Sequence, residues 1–527
     1  MNRRRCRRVA RLAVIAMLLV AVAPAHGELL STPETLSPPR AGNPFVAMTP
    51  RGHTLVVWSA DGQIGPGPSR RSTFVGAWRS PGGTFGEPFV VARDRAVIDI
   101  VATGDEGVVI SGQDSRGSVV TLLAAGSRSG DDQVLSSEQP PVGLGGSPLL
   151  AADGHGNALA TVLRPDGSVV AFSRAPRALF GAGEAIAGHG HPFAVPAMNS
   201  AGDGAIVMAH AWGGQMVSVR RAGEAAFGAA EDAGIRGFGF SAPEVGVTPN
   251  GDVATVGSVF GPSDAAEFYP PNFAFRPVGG RFSPQPVRLA GGSFRLVTGD
   301  GSTVSIVDLA PAGAAPRVTD RRPDGSFAAP LPFGHGPVCD PLVAARTTSL
   351  GNTTMIYRFP CQAGSVTPGG TAGSLELVER PAGGGPTRPV KLGAPDAGLP
   401  AIASNRSGSV AIAWITNLRK SSLRRVQAVV RDGPVELALQ QLGTTLPVSQ
   451  GRAKLRLACT GLRDCRGSVK LQRLGAQGPA SRVSVGTSVR RGHRRTKRVR
   501  IPRSVLRGKR ARLRITVTVA RGKGVKR

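Results

Sequence analysis

At 527 residues, with 72 Gly and 43 Pro but only 2 Tyr and 4 Trp, the chain is too long for one ordinary core and too rich in turn residues for a helical protein; 41% hydrophobic content excludes a disordered one. The net charge of +30 is uneven: residues 1–27 hold six Arg and no acid, residues 28–450 hold 33 basic and 33 acidic residues, and residues 451–527 hold 25 Lys plus Arg with Asp464 as the single acid. Only 8 of the 64 basic residues are Lys, which together with the Ala and Gly content fits a GC-rich genome, so the choice of arginine alone says little about function.

The first predicted element is an export signal. Arg3, Arg4, Arg5, Arg7, Arg8 and Arg11 precede an apolar run from Leu12 to Ala23, and Ala23-Pro24-Ala25 supplies a small-x-small cleavage pattern. Residues 1–25 therefore read as a signal peptide. The apolar run is shorter than the roughly 20 residues that span a bilayer, and no later stretch is long and apolar enough to hold the chain in a membrane. A secreted, extracellular protein is expected. Cys6 leaves with the signal. The even number of remaining cysteines, in an exported chain, points to disulfides, and proximity suggests Cys339–Cys361 and Cys459–Cys465. A metal site at the second pair lacks another ligand pair nearby.

A repeat follows. NPFVAMTPRGHTLVVW from Asn43, SPLLAADGHGNALATV from Ser147, VPAMNSAGDGAIVMAH from Val195, APEVGVTPNGDVATVG from Ala242 and LPAIASNRSGSVAIAW from Leu399 share one pattern, with weaker copies near Val97, Ser293 and Asp340. Each is a short apolar run, a polar turn ending in Gly, and an alternating apolar run, which is a β-hairpin. A further strand follows, such as Phe74–Arg79, and then a segment such as GTFGEPFVVA or ALFGAGEAIA. The unit of about fifty residues with about four strands has the size of a propeller blade. Eight copies begin near 44, 96, 148, 195, 243, 293, 341 and 400; seven blades result if one weak copy is irregular. The last copy lacks its fourth segment, and Glu28–Pro38 resembles the missing piece, as closure of a ring requires. The expected fold over 28–434 is an all-β propeller; an open array of β-sandwich domains, with its longer repeat, fits less well.

This repeat resembles the blades of secreted bacterial sialidase-like propellers, which implies a ring with a functional site at its centre. RPDGSVVAF from Arg164 and RPDGSFAAP from Arg322 keep the Asp-Gly of that family's turn but lack its closing Thr-Trp. From about Val435 to 527 the texture changes to GRAKLRLACTGLRDCRGSVKLQRL, KRVRI and KRARLRITVTVA, in which basic and apolar residues alternate. These predict strands of a small antiparallel β-sandwich with an arginine face, joined by a loop over Gly486–Arg495. The segment is similar to the arginine-rich, two-cysteine module that ends many secreted proteins of GC-rich bacteria.

Chemistry-bearing patterns are few. Tyr269 and Tyr357 are the only candidates for a sialidase-type nucleophile, His189 and His191 form the one close histidine pair, and Asp61, Asp166, Asp324 and Asp432 each precede Gly as in hairpin turns. Six residues beyond each turn glycine, Trp58, Tyr357 and Trp414 fall in copies one, seven and eight; they either stack on a sugar or pack between blades. Arg490, Arg491, Arg494, Arg495, Lys497 and Arg498 are the candidate polyanion-binding residues. The expectation is a non-catalytic, monomeric binding propeller without cofactor or metal, drawn to an anionic wall polymer or glycan by its basic tail. The alternatives are a glycan-active enzyme and a purely structural surface protein. Nucleic acid is disfavoured, because residues 435–527 contain no Phe, Tyr or Trp to stack on bases.

Overall fold

The computed structural model describes residues 32–519 except 63–70, 140–147, 189, 211–213, 236–242, 258–271, 288–292, 299–303, 310–314, 334–343, 348–352, 360–373, 381–384, 388, 394–395, 406–407, 419, 432–436, 440–447, 450–451, 460–464, 474–481, 490–493 and 501–512. The export signal and the Cys339–Cys361 pair lie outside the described residues.

Among the described residues the architecture is all-β apart from one 3₁₀ turn at Ser421–Leu423. Eight antiparallel four-stranded blades follow one another. Blade 1 comprises Pro44–Met48, Thr54–Ser59, Ser72–Arg79 and the first half of Phe89–Ala102; blade 2 takes the second half of that strand with Gly107–Asp114, Gly117–Ala124 and Asp131–Ser136. Blade 3 is Leu149–Ala152, Ala158–Leu163, Val169–Arg174 and Glu184–Ala187, and blade 4 is Phe193–Met198, Gly204–Ala209, Gln215–Arg220 and Glu231–Asp232. Blade 5 is Glu244–Val247, Val253–Gly257, Asn272–Arg276 and Ser283–Pro286, and blade 6 is Ser293–Thr298, Val304–Leu309, Arg317–Arg321 and Leu331–Pro332. Blade 7 is Ala344–Thr347, Thr353–Phe359, Ser374–Arg380 and Val390–Lys391. Blade 8 is Gly398–Ser404, Val410–Thr416 and Arg425–Arg431, completed by Glu34–Thr35 from the start of the chain.

The turn between the first two strands of a blade has a local cause. It opens with Thr, Asp or Asn, whose side chain accepts a hydrogen bond from the backbone four residues on: Thr49 from His53, Asp153 from Asn157, Asn199 from Asp203, Thr248 from Asp252 and Asn405 from Ser409. These side chains do the work of a backbone turn. The glycine before the last turn residue takes a positive φ, 89° at Gly52 and 88° at Gly251, which only glycine adopts without strain.

Second strands such as Thr54–Ser59 and Ala158–Leu163 are buried along their whole length, whereas fourth strands such as Ser283–Pro286 are mostly exposed. That gradient follows from packing blades face to face around an axis. Eight apolar clusters fill the eight gaps, each drawn from two consecutive blades. The cluster joining blades 8 and 1 places Val46, Met48 and Val56 against Ala411, Val426 and Ala428, so the ring is closed. The seam carries the same polar link as an internal gap: Asn405 Nδ2 donates to the Thr49 carbonyl (3.2 Å) as Asn199 Nδ2 donates to the Thr248 carbonyl (2.8 Å). Glu34–Thr35 pairs antiparallel with Ala428 and Gln427, leaving blade 8 no open outer edge there.

After the ring, Leu437–Leu439, Val448–Ser449, Arg452–Cys459 and Arg494–Arg500 form one antiparallel sheet, and Cys465–Arg473, Arg482–Val489 and Leu513–Val519 form a second that packs on it. The loop expected over Gly486–Arg495 is shorter than its composition suggested. Gly486–Val489 completes one strand and Arg494–Arg495 begins the next, because alternation of Val and small residues continues to Val489.

Candidate functional site

Trp58, Tyr357 and Trp414 do not form a ligand-stacking surface. Their exposures are 1%, 0% and 0%. Trp58 fills the gap between blades 8 and 1, Trp414 the gap between 7 and 8, and Tyr357 the gap between 6 and 7. The residues do occupy one repeated column, but that column is on second strands, which have neighbouring sheets on both faces. No ring is left for a sugar.

Tyr357 does meet a carboxylate: its hydroxyl donates to Glu376 Oε2 at 2.8 Å, directly across the strand pair Tyr357↔Glu376. Both are buried. Burial raises the phenol's pKa, and Glu376 adds to the rise. That is the reverse of what activates a nucleophile. Tyr269 lies outside the described residues.

The innermost strands carry two carboxylates whose positions draw them into joining blades. Asp99 accepts from the backbone of Ile100 (2.8 Å) and of Leu150 in blade 3 (2.9 Å). Glu244 accepts from Arg295 Nη1 (2.6 Å) and from the Leu296 backbone (2.5 Å) in blade 6. His191 is buried with its ring edge against exposed His210, centroids 5.2 Å apart, and burial followed by the His210 charge lowers its pKa. No group of three or more His, Cys, Asp or Glu among the described residues could hold a metal ion. Gly62, Gly167 and Gly325, which follow Asp61, Asp166 and Asp324, all have positive φ, and Gly167 and Gly325 close turns on the Arg164 and Arg322 carbonyls; Asp432 and Gly433 lie outside the described residues.

The basic strands give a different picture. Arg498 and Arg500 are exposed and Val499 between them is 1% exposed, so this strand has a solvent face and an inner face. Register sets Arg500 opposite Arg452, Arg498 opposite Lys454 and Arg494 opposite Ala458, with Arg456 on the same parity. Arg452, Lys454, Arg456 and Arg494 thus share the register parity of Arg498 and Arg500. Lys497 and Arg495 belong to the other parity, opposite Leu455 and Leu457. Arg490 and Arg491 lie outside the described residues, and the side chains of Cys459 and Cys465, which flank the connection between the two sheets, are likewise outside them.

One recurrent feature escapes composition-based reading. The last residue of the third strand is Arg79, Arg174, Arg220, Arg276, Arg321, Arg380 or Arg431 in seven of the eight blades, with Ala124 in blade 2. From blade 4 onward most of these reach the residue that immediately precedes the arginine of the blade before. Arg220 donates to Ser173 Oγ (2.5 Å), Arg321 lies 3.6 Å over the Phe275 ring, Arg380 donates to Asp320 (2.7 Å) and Arg431 pairs with Glu379. The signal in the sequence was positional: an arginine six residues before a phenylalanine, as in Arg79–Phe85, Arg174–Phe180 and Arg321–Phe327.

A closed radial array of antiparallel four-stranded sheets makes the chain a β-propeller protein with a second, all-β basic part. No model of a protein family matches the sequence, and no curated relative matches it. Among solved structures it is similar to the BP39L lectin from Burkholderia pseudomallei (TM-score 0.45, 11% identity, 68% of this chain and 100% of that one). It is similar also to streptogramin B lyase (TM-score 0.38, 10% identity, 75% and 96%) and to the Hadza microbial sialidase Hz136 (TM-score 0.35, 10% identity, 75% and 66%). At these identities no ligand or activity carries over. No helix among the described residues is long and apolar enough to cross a membrane.

Proposed function

We propose that the chain is an exported, non-catalytic binding propeller, divided into a signal (1–25), a ring (28–434) and a basic sandwich (435–527), which associates with anionic wall polymer or acidic glycan through that last part. The observation that carries this reading is the cross-strand register of Arg452 with Arg500 and of Lys454 with Arg498. Like charges directly opposite destabilise a sheet, and a bound polyanion relieves that repulsion while releasing its counterions. The commitment of Asp99 and Glu244 to inter-blade bonds, and of Tyr357 and Glu376 to a buried pair, favours binding over catalysis.

The test uses the full mature chain and purified wall material across a salt series. The wild type is expected to be retained at low salt and released steeply as salt rises. K454E/R498E is expected to elute at much lower salt with an unchanged circular dichroism spectrum. Retention that ignores salt, or a variant that binds like wild type, contradicts the proposal.

A further inference from the structure

Between the outer strand of blade 1 and blade 2 lies a cleft of about 350 Å³, within the size range of small-ligand pockets. It forms where the strand Phe89–Ala102 leaves the rim of blade 1 and becomes the innermost strand of blade 2, just past the positive φ (50°) of Asp94. Its charged walls are Arg93, Arg95, Arg116 and Arg128 against Asp114 and Asp132, an excess of two positive charges.

The floor is rigid. Arg95, 3% exposed, donates from Nη2 to Asp132 (2.6 Å) and Asp114 (3.2 Å), and from Nη1 to Thr121. Arg116 Nη2 donates to the same two carboxylates, each at 2.7 Å. Both acids are thus already engaged by two guanidiniums, while Arg95 Nε is buried with no hydrogen-bond partner among the described residues. The half-exposed Arg116 and the exposed Arg93 add further donors at the rim, beside Arg128, whose Nη2 lies 3.6 Å from Glu87 Oε2. Donors therefore exceed acceptors, which is the complement of an acceptor-rich anion. Two further features select more than a bare ion. Val90, 41% exposed, and Leu123 supply an apolar wall for a carbon skeleton, and the exposed rim admits the hydroxyl groups of a sugar to solvent.

We infer that this cleft binds a sugar carboxylate, a uronic-acid residue, with its carboxylate at the Arg116–Arg93 rim and its ring face on Val90. The site is independent of the basic strands, so either reading can fail without the other.

The probe is D-glucuronate, titrated into the full mature chain by calorimetry, with D-glucose and inorganic sulfate as separate arms. Saturable glucuronate binding with a dissociation constant of about 1 mM or tighter is expected, and binding of glucose and of sulfate at least about tenfold weaker. R93A/R116A is expected to weaken glucuronate about tenfold or more; V90E, which leaves every arginine in place, serves if the double variant misfolds and is expected to do the same. R498A/R500A is expected to bind glucuronate like wild type. Absence of saturation, equal affinity for sulfate or glucose, or unaltered binding in whichever of R93A/R116A and V90E is folded overturns the inference.

Discussion

Arg174 divides its guanidinium among three acceptors: Nε donates to the Ala178 carbonyl (2.7 Å), Nη1 to the Gly156 carbonyl (3.1 Å) and Nη2 to Asp105 of the preceding blade (3.0 Å). Its counterparts around the ring show that arginine here is chosen for reach and for several donors held in one plane. A biased composition hid this, since in a chain with so many arginines only register separates a structural one from a solvated one. Asp320 illustrates the electrostatics: burial alone would raise its carboxyl, yet hydrogen bonds from Arg380 and Ser305 and the Arg380 charge hold it below the usual range. R380A is expected to lower stability by roughly 1–3 kcal/mol, read as a shift in the urea midpoint, because Asp320 loses its charged partner and keeps only Ser305 while staying partly buried. The aromatic column yields to similar reasoning. Trp414 has no solvent contact, so W414A is expected to cost about 3–5 kcal/mol through the cavity it leaves. A ligand-stacking role would leave the midpoint nearly unmoved.

At the scale of the element, the sequence was most legible where local chemistry decides. The polar hairpin turns ending in glycine were visible, though not the Thr, Asp or Asn that opens them, and the first strands begin within a few residues of the positions read from the repeat. Two things were not visible. The passage from blade 1 to blade 2 is a single strand, since Val90–Ala92 and Ala96–Val101 are both apolar enough to extend and only Asp94 marks the break. The face of each second strand could not be assigned either, because alternation reports one partner sheet and these strands have two. The charged network of blade 2 has a pH signature. Burial opposes the ionised form of Asp132, but hydrogen bonds from Arg95, Thr121 and Arg116 bring its pKa down to about 2. A depressed carboxylate adds stability that is complete above its unfolded value of 3.8 and is lost as pH falls through about 2. Denaturation of wild type and D132N is therefore expected to differ at neutral pH and to converge at about pH 2. A gap that persists in acid would assign the loss to packing instead.

For the whole molecule, the neutral ring and the basic sheets divide the charge as their sequences do, and the ring's phase is set by its ends. The complement between the short last repeat and Glu28–Pro38 was readable; the bonds that complete it were not, because those within blade 8 join residues nearly four hundred apart. Leu36 N donates to the Val426 carbonyl (2.9 Å), Val426 N to Ser37 Oγ (2.8 Å), and Glu34 accepts from Phe85 of blade 1 (3.0 Å), as Glu184 accepts from Phe227 (2.7 Å) across the gap between blades 3 and 4. The core between blades 8 and 1 is the one this closure completes. Thr35 and Gln427 are direct cross-strand partners, and residues so placed in an antiparallel pair have Cα atoms roughly 4.5–5.5 Å apart, within the range that a disulfide bridges. T35C/Q427C, oxidised and mapped by peptide mass spectrometry, is expected to form an intramolecular 35–427 disulfide in nearly every monomer and to raise the melting temperature. Cross-linking only between molecules, or none under conditions that oxidise the native cysteines, would contradict a ring closed by its own N-terminal strand.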